Sequence, residues 1–510
     1  MNKKIVKILF ISIITVFSIL SIMHIIQYGG DIIKCNGATM FLNQISNLQE
    51  KRINAMAFLE FMLITGFLYL LMIKIENDEN KENTNSKERI LENKENKENN
   101  KNNENCKVNI DKNLTKTEIA NQKKEIKGLA IFIIIISILA AIILPNNSSD
   151  VYYYMASGRL DAKYGMNPYN AVFKDNQAQH MEDNVVATSP SLNTNFLYGS
   201  LWATICKVLS AFPVDSAIII LYIYKLANVI IHLLNCYLIY KITKKKRDVL
   251  IYAINPLIIF EALINCHNDI YVVFFILLAI YLKKQKKIKL AVASIALGAL
   301  IKYIPILLLP YIILDEDIKK IDIKKTALYI LEAILIFFGI SIVVIGNVQG
   351  VLTFMQQTEV LANSLYLVLR GASLPVTLIH KVGMVAFIVI YIISILKSNQ
   401  SKTYVTILTL FLLLVISNFR TWYIMWLFAL IPVVDNKDKK YIITLSIVAE
   451  ISNIIMYRFG ESYIYGTYYF ITLFSIMIIY ALAQKFEIVK KLKGKINEKT
   501  FINWWKQHNE

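Results

Sequence analysis

The first residue that could carry chemistry is an aspartate placed directly after a long apolar run. Asp150 follows the run that ends at Pro145, and Tyr152 and Tyr154 come next. A carboxylate held at a membrane surface beside aromatic rings is well placed to accept a proton from a hydroxyl group. Tyrosine rings also offer a sugar a large apolar face with a polar tip. The alternative is that Asp150 only caps a helix within a loop.

A second polar group lies at the end of a later apolar run. Pro256 stands inside this run and predicts a kinked or broken helix. Glu261 and Asp269 are ionisable groups at membrane depth, where such groups by default face a cavity. His267 could relay protons or form hydrogen bonds, although a lone histidine at a helix end is more often structural. The spacing of a metal site is absent, so we expect no metal.

Three cations lie close to predicted membrane segments. Lys302 interrupts a long apolar stretch just before Pro305, Arg370 precedes another apolar run, and Arg420 stands directly before Thr421-Trp422-Tyr423. A cation at membrane depth is costly unless it is paired, and it often marks an anionic ligand. A lipid-linked phosphate is such a ligand, and arginine can bind it with two hydrogen bonds. For Arg420 the alternative is a side chain that reaches toward lipid headgroups.

Signals for a soluble nucleotide donor are missing. Neither a GxxxxGK[ST] loop nor a GxGxxG fingerprint occurs in the sequence. The loops expected in the cytoplasm are short or rich in Asn, Lys and Glu, and they offer no nucleotide-binding domain. Any donor molecule should therefore arrive from within the membrane, and we expect no bound cofactor.

The elements that would position these residues are membrane helices. Of the 510 residues, 56% are hydrophobic, and the mean hydropathy of +0.48 excludes a soluble globular chain. Apolar runs long enough to cross the bilayer recur at 5–27, 54–73, 128–145, 216–240, 249–264, 270–282, 326–346, 375–396, 403–418, 421–434, 441–456 and 467–484. The stretch 290–314 is expected to form two short helices broken at Pro305. The sequence thus predicts an all-α polytopic membrane protein with roughly 12 to 14 transmembrane helices.

The charge pattern predicts the orientation and the domain organisation. Lysine-rich loops and both termini are placed in the cytoplasm, so the net charge of +18 reads as an orientation signal and a nucleic-acid partner is excluded. Four parts follow along the chain: two N-terminal helices in 1–75, a disordered charged cytoplasmic loop in 76–127, the multi-spanning core in 128–484 and a basic cytoplasmic tail in 485–510. The large loop 146–214 falls outside the cytoplasm. The five cysteines show no spacing that indicates a disulfide framework or a zinc site.

Several motifs, in order and in this topology, resemble the GT-C superfamily of membrane glycosyltransferases. The resemblance is strongest to glycosyltransferase family 87 and to bacterial mannosyltransferases related to the second GPI-anchor mannosyltransferase. It covers about 145–430 and rests on these segments: Asp150 to Gly158, Gly165-Met166-Asn167-Pro168-Tyr169, Tyr198-Gly199-Ser200-Leu201-Trp202, Asn255-Pro256-Leu257 with Glu261, His267-Asn268-Asp269, Lys302-Tyr303-Ile304-Pro305 and Trp422-Tyr423-Ile424-Met425-Trp426.

The resemblance implies an inverting transfer of a hexose, with mannose expected, from a polyprenyl-phosphate donor to a glycolipid, glycan or protein acceptor outside the cytoplasm. Asp150 would be the general base, and the leaving phosphate would be stabilised by a cation, with Lys302 and Arg420 ahead of Arg159 and Arg370. The residues expected to contact the sugar or the acceptor are Tyr152, Tyr154, Asn167, Tyr169, Glu261, His267, Asp269, Trp422 and Tyr423.

Two other functions remain open on the sequence alone. The first is a transporter or flippase for a lipid-linked saccharide, although such proteins often carry matching helix breaks in both halves and the sequence shows one clear break. The second is an oligosaccharide polymerase or ligase. A protein of that kind would be expected to depend on Arg370 and His380 rather than on Asp150.

Overall fold

The computed structural model describes residues 2–27, 59–79, 104–145, 148–169, 182–189, 195–314, 322–346, 375–397, 400–416, 419–459 and 472–483, together with residues 348 and 351. Within these ranges the regular structure is entirely helical. Several of the helices are long and apolar enough to cross a membrane. The prediction of an all-α polytopic membrane protein is therefore confirmed.

The helices follow one another along the chain, numbered here in order. They are α1 (Lys3–Gln27), α2 (59–79), α3 (Glu104–Ile142), α4 (Asp150–Tyr164), α5 (Ser200–Ser210), α6 (Ala217–Thr243), α7 (Lys246–Ala253), α8 (Asp269–Lys284), α9 (Ile288–Ala299), α10 (Leu309–Ile313), α11 (Ile323–Ile345), α12 (Val376–Lys397), α13 (Ser401–Leu414), α14 (Asn436–Phe459) and α15 (Thr472–Ala483). A π-helical segment spans Ile258–Ile264, and 3₁₀ helices span Val186–Thr188, Ile304–Leu308 and Thr421–Val433.

Five described segments qualify as complete membrane spans by length and hydropathy. They are Lys3–Met23, Ala120–Ile142, Ala217–Thr243, Ile323–Ile345 and Thr377–Lys397, each 21 to 27 residues long. At about 1.5 Å per residue such helices cover the roughly 30 Å of hydrocarbon in a bilayer. All five coincide with predicted apolar runs.

The predicted crossing at 249–264 differs in the structure. Helix α7 ends at Ala253, and the π-helical segment that follows meets α8 at an angle of 110°. Pro256 explains why α7 ends before the π-helical segment, because a proline donates no backbone hydrogen bond and its ring collides with the preceding helical turn. The chain then reverses through Cys266, which has a left-handed φ of 62°. The sequence predicts two separate spans at 249–264 and 270–282, whereas in the structure Ile258–Ile264 and Asp269–Lys284 form one sharply bent pair.

The break predicted at Pro305 is present. Helix α9 ends at Ala299, and the chain turns through Leu300–Tyr303 into the 3₁₀ helix Ile304–Leu308. Lys302 lies in this turn. The turn is a separate irregular region from the π-helical segment, and both contribute to the site described below.

The expected disordered loop 76–127 is partly helical. Helix α2 runs to residue 79, and α3 begins at Glu104 and continues into the apolar span without interruption. The low-hydropathy composition that suggested disorder is also rich in Lys, Glu and Gln, which are good helix formers. Once the apolar half of α3 is folded, each further residue joins an existing helix and avoids the nucleation cost.

The two N-terminal helices pack on the core of the molecule. The Ser18 hydroxyl donates to the Leu139 carbonyl at 2.8 Å, and the Tyr69 hydroxyl donates to the Ile251 carbonyl at 3.1 Å. Phe61 of α2 meets Phe260 of the π-helical segment with ring centroids 5.1 Å apart. Helix α1 therefore packs on α3, and α2 supports the bent region that carries the second polar group.

Candidate active site

Asp150 opens α4 and is surrounded by hydroxyl groups. Its Oδ2 accepts a hydrogen bond from the Tyr198 hydroxyl at 3.0 Å and one from the Tyr154 hydroxyl at 3.3 Å. Burial alone would raise the pKa of the carboxyl group, but His267, Lys302 and Tyr198 outweigh it and hold that pKa well below its ordinary value. The side chain keeps 30% of its surface exposed. Asp150 is thus an ionised and accessible acceptor.

The backbone next to Tyr198 is attached to the turn that carries Lys302. The Gly199 amide donates to the Ile301 carbonyl at 3.2 Å, and the Leu201 amide donates to the Leu300 carbonyl at 3.0 Å. A Cβ atom on Gly199 would lie 2.2 Å from the Leu300 oxygen, so only glycine allows this close approach. The first amide groups of α5, which a helix leaves unpaired, are bound here by the turn.

Lys302 is an ammonium group held between aromatic rings. Its Nζ donates to Asp269 Oδ2 at 2.7 Å and lies 5.4 Å from the ring centre of Tyr198 and 5.0 Å from that of Tyr423. The other carboxylate oxygen of Asp269 accepts from Trp426 Nε1 at 2.7 Å. Tyr198 therefore contacts Asp150 through its hydroxyl and Lys302 through its ring face.

The 3₁₀ helix Thr421–Val433 supplies the aromatic wall. In a 3₁₀ helix residues three apart are eclipsed, and Tyr423 and Trp426 stack accordingly with centroids 4.7 Å apart and an angle of 14°. Trp422 faces a different partner and stacks on His267 at 3.9 Å. One short helix thus contacts both the lysine and the histidine of the site.

The π-helical segment and the turn after it place two buried ionisable residues behind Asp150. His267 Nδ1 lies 3.5 Å from Asp150 Oδ2, and His267 Nε2 lies 3.2 Å from Glu261 Oε2. The wider π-helical spacing is visible in the Asn265 amide, which donates five residues back to the Phe260 carbonyl at 2.8 Å. His267 and Glu261 are both fully buried. The carboxylate, imidazole and carboxylate form a continuous row.

For other residues predicted for the site, the structure gives contacts with groups other than Asp150. Asn167 donates to the Val344 carbonyl at 2.9 Å, and the Tyr169 hydroxyl donates to the Tyr198 carbonyl at 2.6 Å, so both fix loop backbone. Tyr152 is buried in α4. The Arg420 guanidinium lies 5.8 Å from the Trp422 ring centre. Arg370 falls outside the described residues.

Arg159 belongs to a separate network that holds the first long loop. It donates to Asp183 Oδ2 at 3.1 Å, to the Phe212 carbonyl at 2.9 Å and to the Val214 carbonyl at 3.1 Å. Burial favours the neutral acid, yet hydrogen bonds from Lys163 and Arg159 lower the pKa of Asp183 to about 2. Arg159 is 4% exposed. Its contacts suit the anchoring of this loop better than the binding of a donor phosphate.

Two buried residues of the region had no role in the sequence analysis. Glu450 of α14 is fully buried. Lys225 of α6 donates to the carbonyls of Ile143, Leu263 and Ile264 at 2.8, 3.0 and 2.6 Å. Both are ionisable groups inside predicted spans, and that signal alone could have singled them out.

The described part of the chain holds no group of three or more His, Cys, Asp or Glu side chains arranged to bind a metal ion. The residues gathered at the site are a partly exposed carboxylate, a paired ammonium group, a buried histidine with carboxylates on both sides and several aromatic faces. This set can accept a proton, counter a developing negative charge and pack against a sugar ring.

Comparison with known proteins agrees with this chemistry. No curated protein and no solved structure matches the chain. A family model does match residues 114–315, a segment that contains Asp150, Glu261, His267, Asp269 and Lys302. Over these residues the chain is similar to the N-terminal domain of the alpha-(1->6)-mannopyranosyltransferases of the MptA_B family, which confirms the predicted resemblance and supports a mannosyltransferase.

Proposed function

We propose that this protein transfers mannose from a polyprenyl-phosphate donor to an acceptor hydroxyl at the extracytoplasmic face of the membrane, with inversion at the anomeric carbon. One observation carries the proposal. Tyr198 binds the Asp150 carboxylate through its hydroxyl at 3.0 Å and the Lys302 ammonium through its ring face at 5.4 Å. A base and a cation held on one tyrosine match the two charges that develop in such a transfer.

The bond changes follow from these positions. Asp150 accepts the proton of the acceptor hydroxyl while the acceptor oxygen forms a bond to the anomeric carbon. The bond between that carbon and the phosphate oxygen breaks, and the polyprenyl phosphate leaves with the electron pair. Lys302 faces the leaving phosphate and counters its second negative charge. The matched family is named for alpha-(1->6) linkages, and an inverting transfer forms an α linkage from a β-linked donor.

The surroundings of Lys302 fit a phosphate that is bound for a limited time. Its ammonium group is paired with Asp269 and keeps 14% of the side chain exposed. A phosphate can share this cation without creating an unpaired buried charge before the donor arrives or after it leaves. Arg420 is the second proposed phosphate contact, through its position over Trp422. Arg370 remains a proposed contact on sequence grounds.

The aromatic residues are proposed to contact the sugar and the acceptor. Tyr198 lies beside Asp150, and Tyr423 lies 5.0 Å from Lys302, and both rings are partly exposed. Tyr154 is fully buried and supports the Tyr198 ring edge to face at 5.1 Å. These rings supply apolar faces with hydroxyl tips. Because His267 and Glu261 are fully buried, we assign them an indirect action through Asp150 instead of direct contact with the sugar.

The test is the Asp150→Asn variant of the full chain in lipid nanodiscs, supplied with polyprenyl-phosphate mannose and a mannoside acceptor. We expect product formation to fall by about 10²- to 10⁴-fold, the usual contribution of a general base. The Lys302→Gln variant is expected to lose mainly turnover, since the cation acts on the leaving phosphate. Full turnover by Asp150→Asn would reject the proposal. Movement of the lipid-linked sugar across the bilayer with no new glycosidic bond would identify a transporter instead.

A further inference from the structure

Asp269 is the fixed member of the ion pair with Lys302. Its side chain is fully buried, and its two carboxylate oxygens accept from different elements. Oδ2 accepts from Lys302 Nζ at 2.7 Å, and Oδ1 accepts from the Trp426 indole nitrogen at 2.7 Å. Asp269 is also the first residue of α8, where the helix dipole favours a negative charge. The carboxylate is therefore stabilised by three separate parts of the structure.

Trp426 has little freedom to release this carboxylate. Its side chain is 1% exposed and stacks on Tyr423 with ring centroids 4.7 Å apart. The indole nitrogen is the one donor of a tryptophan side chain, and here it is used by Asp269. Breaking this bond would leave a buried donor and a buried acceptor unpaired, which is costly. Asp269 thus keeps its orientation when the Lys302 side chain moves.

Lys302 is the mobile member of the pair. The backbone of its turn is hydrogen-bonded to the start of α5, so movement is confined to the side chain. The flexible four-carbon stem carries three N–H donors, and one of them is bound to Asp269. The Lys302 side chain keeps 14% of its surface exposed, and that of Asp269 keeps none. A phosphate can therefore reach the ammonium group but not the carboxylate.

The aromatic neighbours of Lys302 attract the cation without acting as anions. The ring centres of Tyr198 and Tyr423 lie 5.4 and 5.0 Å from its Nζ, and such rings attract a cation through their electron-rich faces. In the described part of the chain, Asp269 is the one carboxylate in a salt bridge with Lys302. A bound phosphate and Asp269 therefore compete for the same ammonium group.

We propose that Asp269, held by Trp426, is a competing anion that draws Lys302 back from the polyprenyl phosphate after transfer and so speeds product release. Asp269 and Trp426 are positioning residues in this proposal, because they act through Lys302 and touch neither substrate. The inference rests on the proposed function for the identity of the phosphate. It predicts the sign of one effect: removing the carboxylate charge tightens the binding of a prenyl phosphate, whereas structural damage to the site weakens it.

The first measurement is the affinity of the full chain in lipid nanodiscs for farnesyl phosphate, with farnesol as the uncharged probe. We expect the wild type to bind farnesyl phosphate more tightly than farnesol, because the phosphate alone can pair with Lys302. Asp269→Asn is nearly isosteric and leaves Lys302 without its counterion, so it should bind farnesyl phosphate about three- to tenfold more tightly, with the affinity for farnesol unchanged. Equal or weaker binding of farnesyl phosphate by this variant overturns the proposal.

A second variant carries the test if Asp269→Asn does not fold. Trp426→Phe retains an aromatic ring but loses the N–H group, so Asp269 is no longer fixed, and binding of farnesyl phosphate should tighten by about two- to threefold. The matched control is Trp202→Phe, since the indole nitrogen of Trp202 is buried and has no hydrogen-bond partner among the described residues. Equal affinities for the two tryptophan variants overturn the assigned role of Trp426.

The second measurement is inhibition of mannosyl transfer by added polyprenyl phosphate. Asp269→Asn should lower the concentration that halves the rate by about three- to tenfold and should also lower kcat, because the product leaves more slowly. In a Lys302→Gln background the same substitution should change that concentration by less than about twofold, since its effect acts through Lys302. An unchanged or higher inhibiting concentration for Asp269→Asn alone overturns the proposal.

Failure of the proposed function gives a different result. A wild-type chain that binds farnesyl phosphate no better than farnesol would reject both the competing anion and the proposed action of Lys302 on a phosphate. A wild-type chain that binds farnesyl phosphate but transfers no mannose would reject the proposed function alone. The sign of the Asp269→Asn effect on binding would then still decide on the competing anion.

Discussion

At the scale of single residues, the structure gives Tyr198 a larger role than its sequence position suggested. The segment Tyr198-Gly199-Ser200-Leu201-Trp202 contributed to the family resemblance, but it provided no reason to assign Tyr198 to the site. In the structure its hydroxyl donates a hydrogen bond of 3.0 Å to Asp150, shorter than the one from Tyr154 at 3.3 Å. The face of its ring contacts the Lys302 ammonium group at 5.4 Å. A base and a cation from distant parts of the chain are thus brought together by one side chain.

We therefore expect Tyr198→Phe to weaken catalysis without removing the aromatic face. Loss of a hydrogen bond to a charged group costs about 1.5–3 kcal/mol, which corresponds to a fall of roughly 10- to 150-fold in kcat/KM. The lost donor also raises the pKa of Asp150, so activity should decline at a higher pH as the solution is acidified. The measurement is the pH dependence of mannosyl transfer.

The matched control is Tyr222→Phe on α6. Its hydroxyl donates to the Ile142 carbonyl at 2.9 Å, away from Asp150. This variant should keep the wild-type pH profile even where it lowers stability slightly. Equal profiles for both tyrosine variants would show that Tyr198 does not act on the Asp150 carboxylate.

At the scale of elements, the site depends on contacts between irregular segments. The start of α5 is hydrogen-bonded to the turn at Leu300–Tyr303, and the π-helical segment is held at its end by Lys225. Prolines mark the two breaks in the sequence, and the breaks near Pro256 and Pro305 are predicted from them. Which break contacts which loop was beyond prediction, because hydrophobic periodicity carries no information on contacts between distant irregular segments.

Gly199→Ala tests the contact between α5 and the turn. The added Cβ would lie 2.2 Å from the Leu300 oxygen, so the start of α5 must move away from the turn that carries Lys302. Overpacking of this kind costs about 1–3 kcal/mol of folding free energy and should separate Tyr198 from Lys302. We expect a lower unfolding temperature in detergent together with reduced transfer.

The comparison for that variant is Gly66→Ala on α2, where an added Cβ meets no heavy atom within 4 Å. Alanine favours the helix at such a position by roughly 0.5–1 kcal/mol relative to glycine. The Gly66 variant should unfold at or above the wild-type temperature with unchanged activity. If Gly199→Ala also kept the wild-type unfolding temperature and activity, the close approach of Gly199 to Leu300 would be shown to matter for neither folding nor transfer.

Lys225→Met tests the support of the π-helical segment. Methionine has a similar length and no charge, so the carbonyls of Ile143, Leu263 and Ile264 lose their shared donor. Each unsatisfied buried carbonyl costs about 1–3 kcal/mol, so we expect a loss of at least about 3 kcal/mol. The measurement is the midpoint of unfolding in denaturing detergent.

Lys207→Met is the control for that loss. Lys207 is half exposed and pairs with Asp161 at 2.8 Å, and a surface ion pair contributes about 0–1 kcal/mol. Its midpoint should stay close to that of the wild type. Equal midpoints for the two lysine variants would contradict the supporting role of Lys225.

At the scale of the whole molecule, the sequence was informative about fold class and less so about the arrangement of the site. Composition and apolar runs indicated an all-α membrane protein, and the helical structure confirms it. The motif order indicated a glycosyltransferase, and the family match over residues 114–315 supports a mannosyltransferase. Asp150, His267 and Asp269 were singled out because ionisable groups beside apolar runs are unusual. Asp150 and His267 meet at 3.5 Å although more than one hundred positions separate them in the chain. No spacing rule connects two residues that far apart.

The placement of the site on one side of the membrane is the remaining prediction at this scale. Lysine-rich loops predict that the end of α6 at Lys244 faces the cytoplasm and that its beginning faces the opposite side. With 27 residues at about 1.5 Å each, α6 spans roughly 40 Å, so its two ends lie on opposite sides of the bilayer. Ala211 lies on the same side of the membrane as Asp150, because Arg159 of α4, the helix that Asp150 opens, donates to the adjacent Phe212 carbonyl at 2.9 Å. A label at Ala211 therefore shows on which side the site lies.

Single cysteines at these two positions decide the orientation. In a background with Cys35 and Cys106 changed to serine, the remaining cysteines Cys206, Cys236 and Cys266 are buried. We expect Ala211→Cys to react with a membrane-impermeant maleimide in intact cells, and Lys244→Cys to react after permeabilisation alone, because positive charges are retained on the cytoplasmic side. Labelling in the opposite order would place Asp150 and Lys302 at the cytoplasmic face. A donor that must first cross the membrane would then have no part in the reaction.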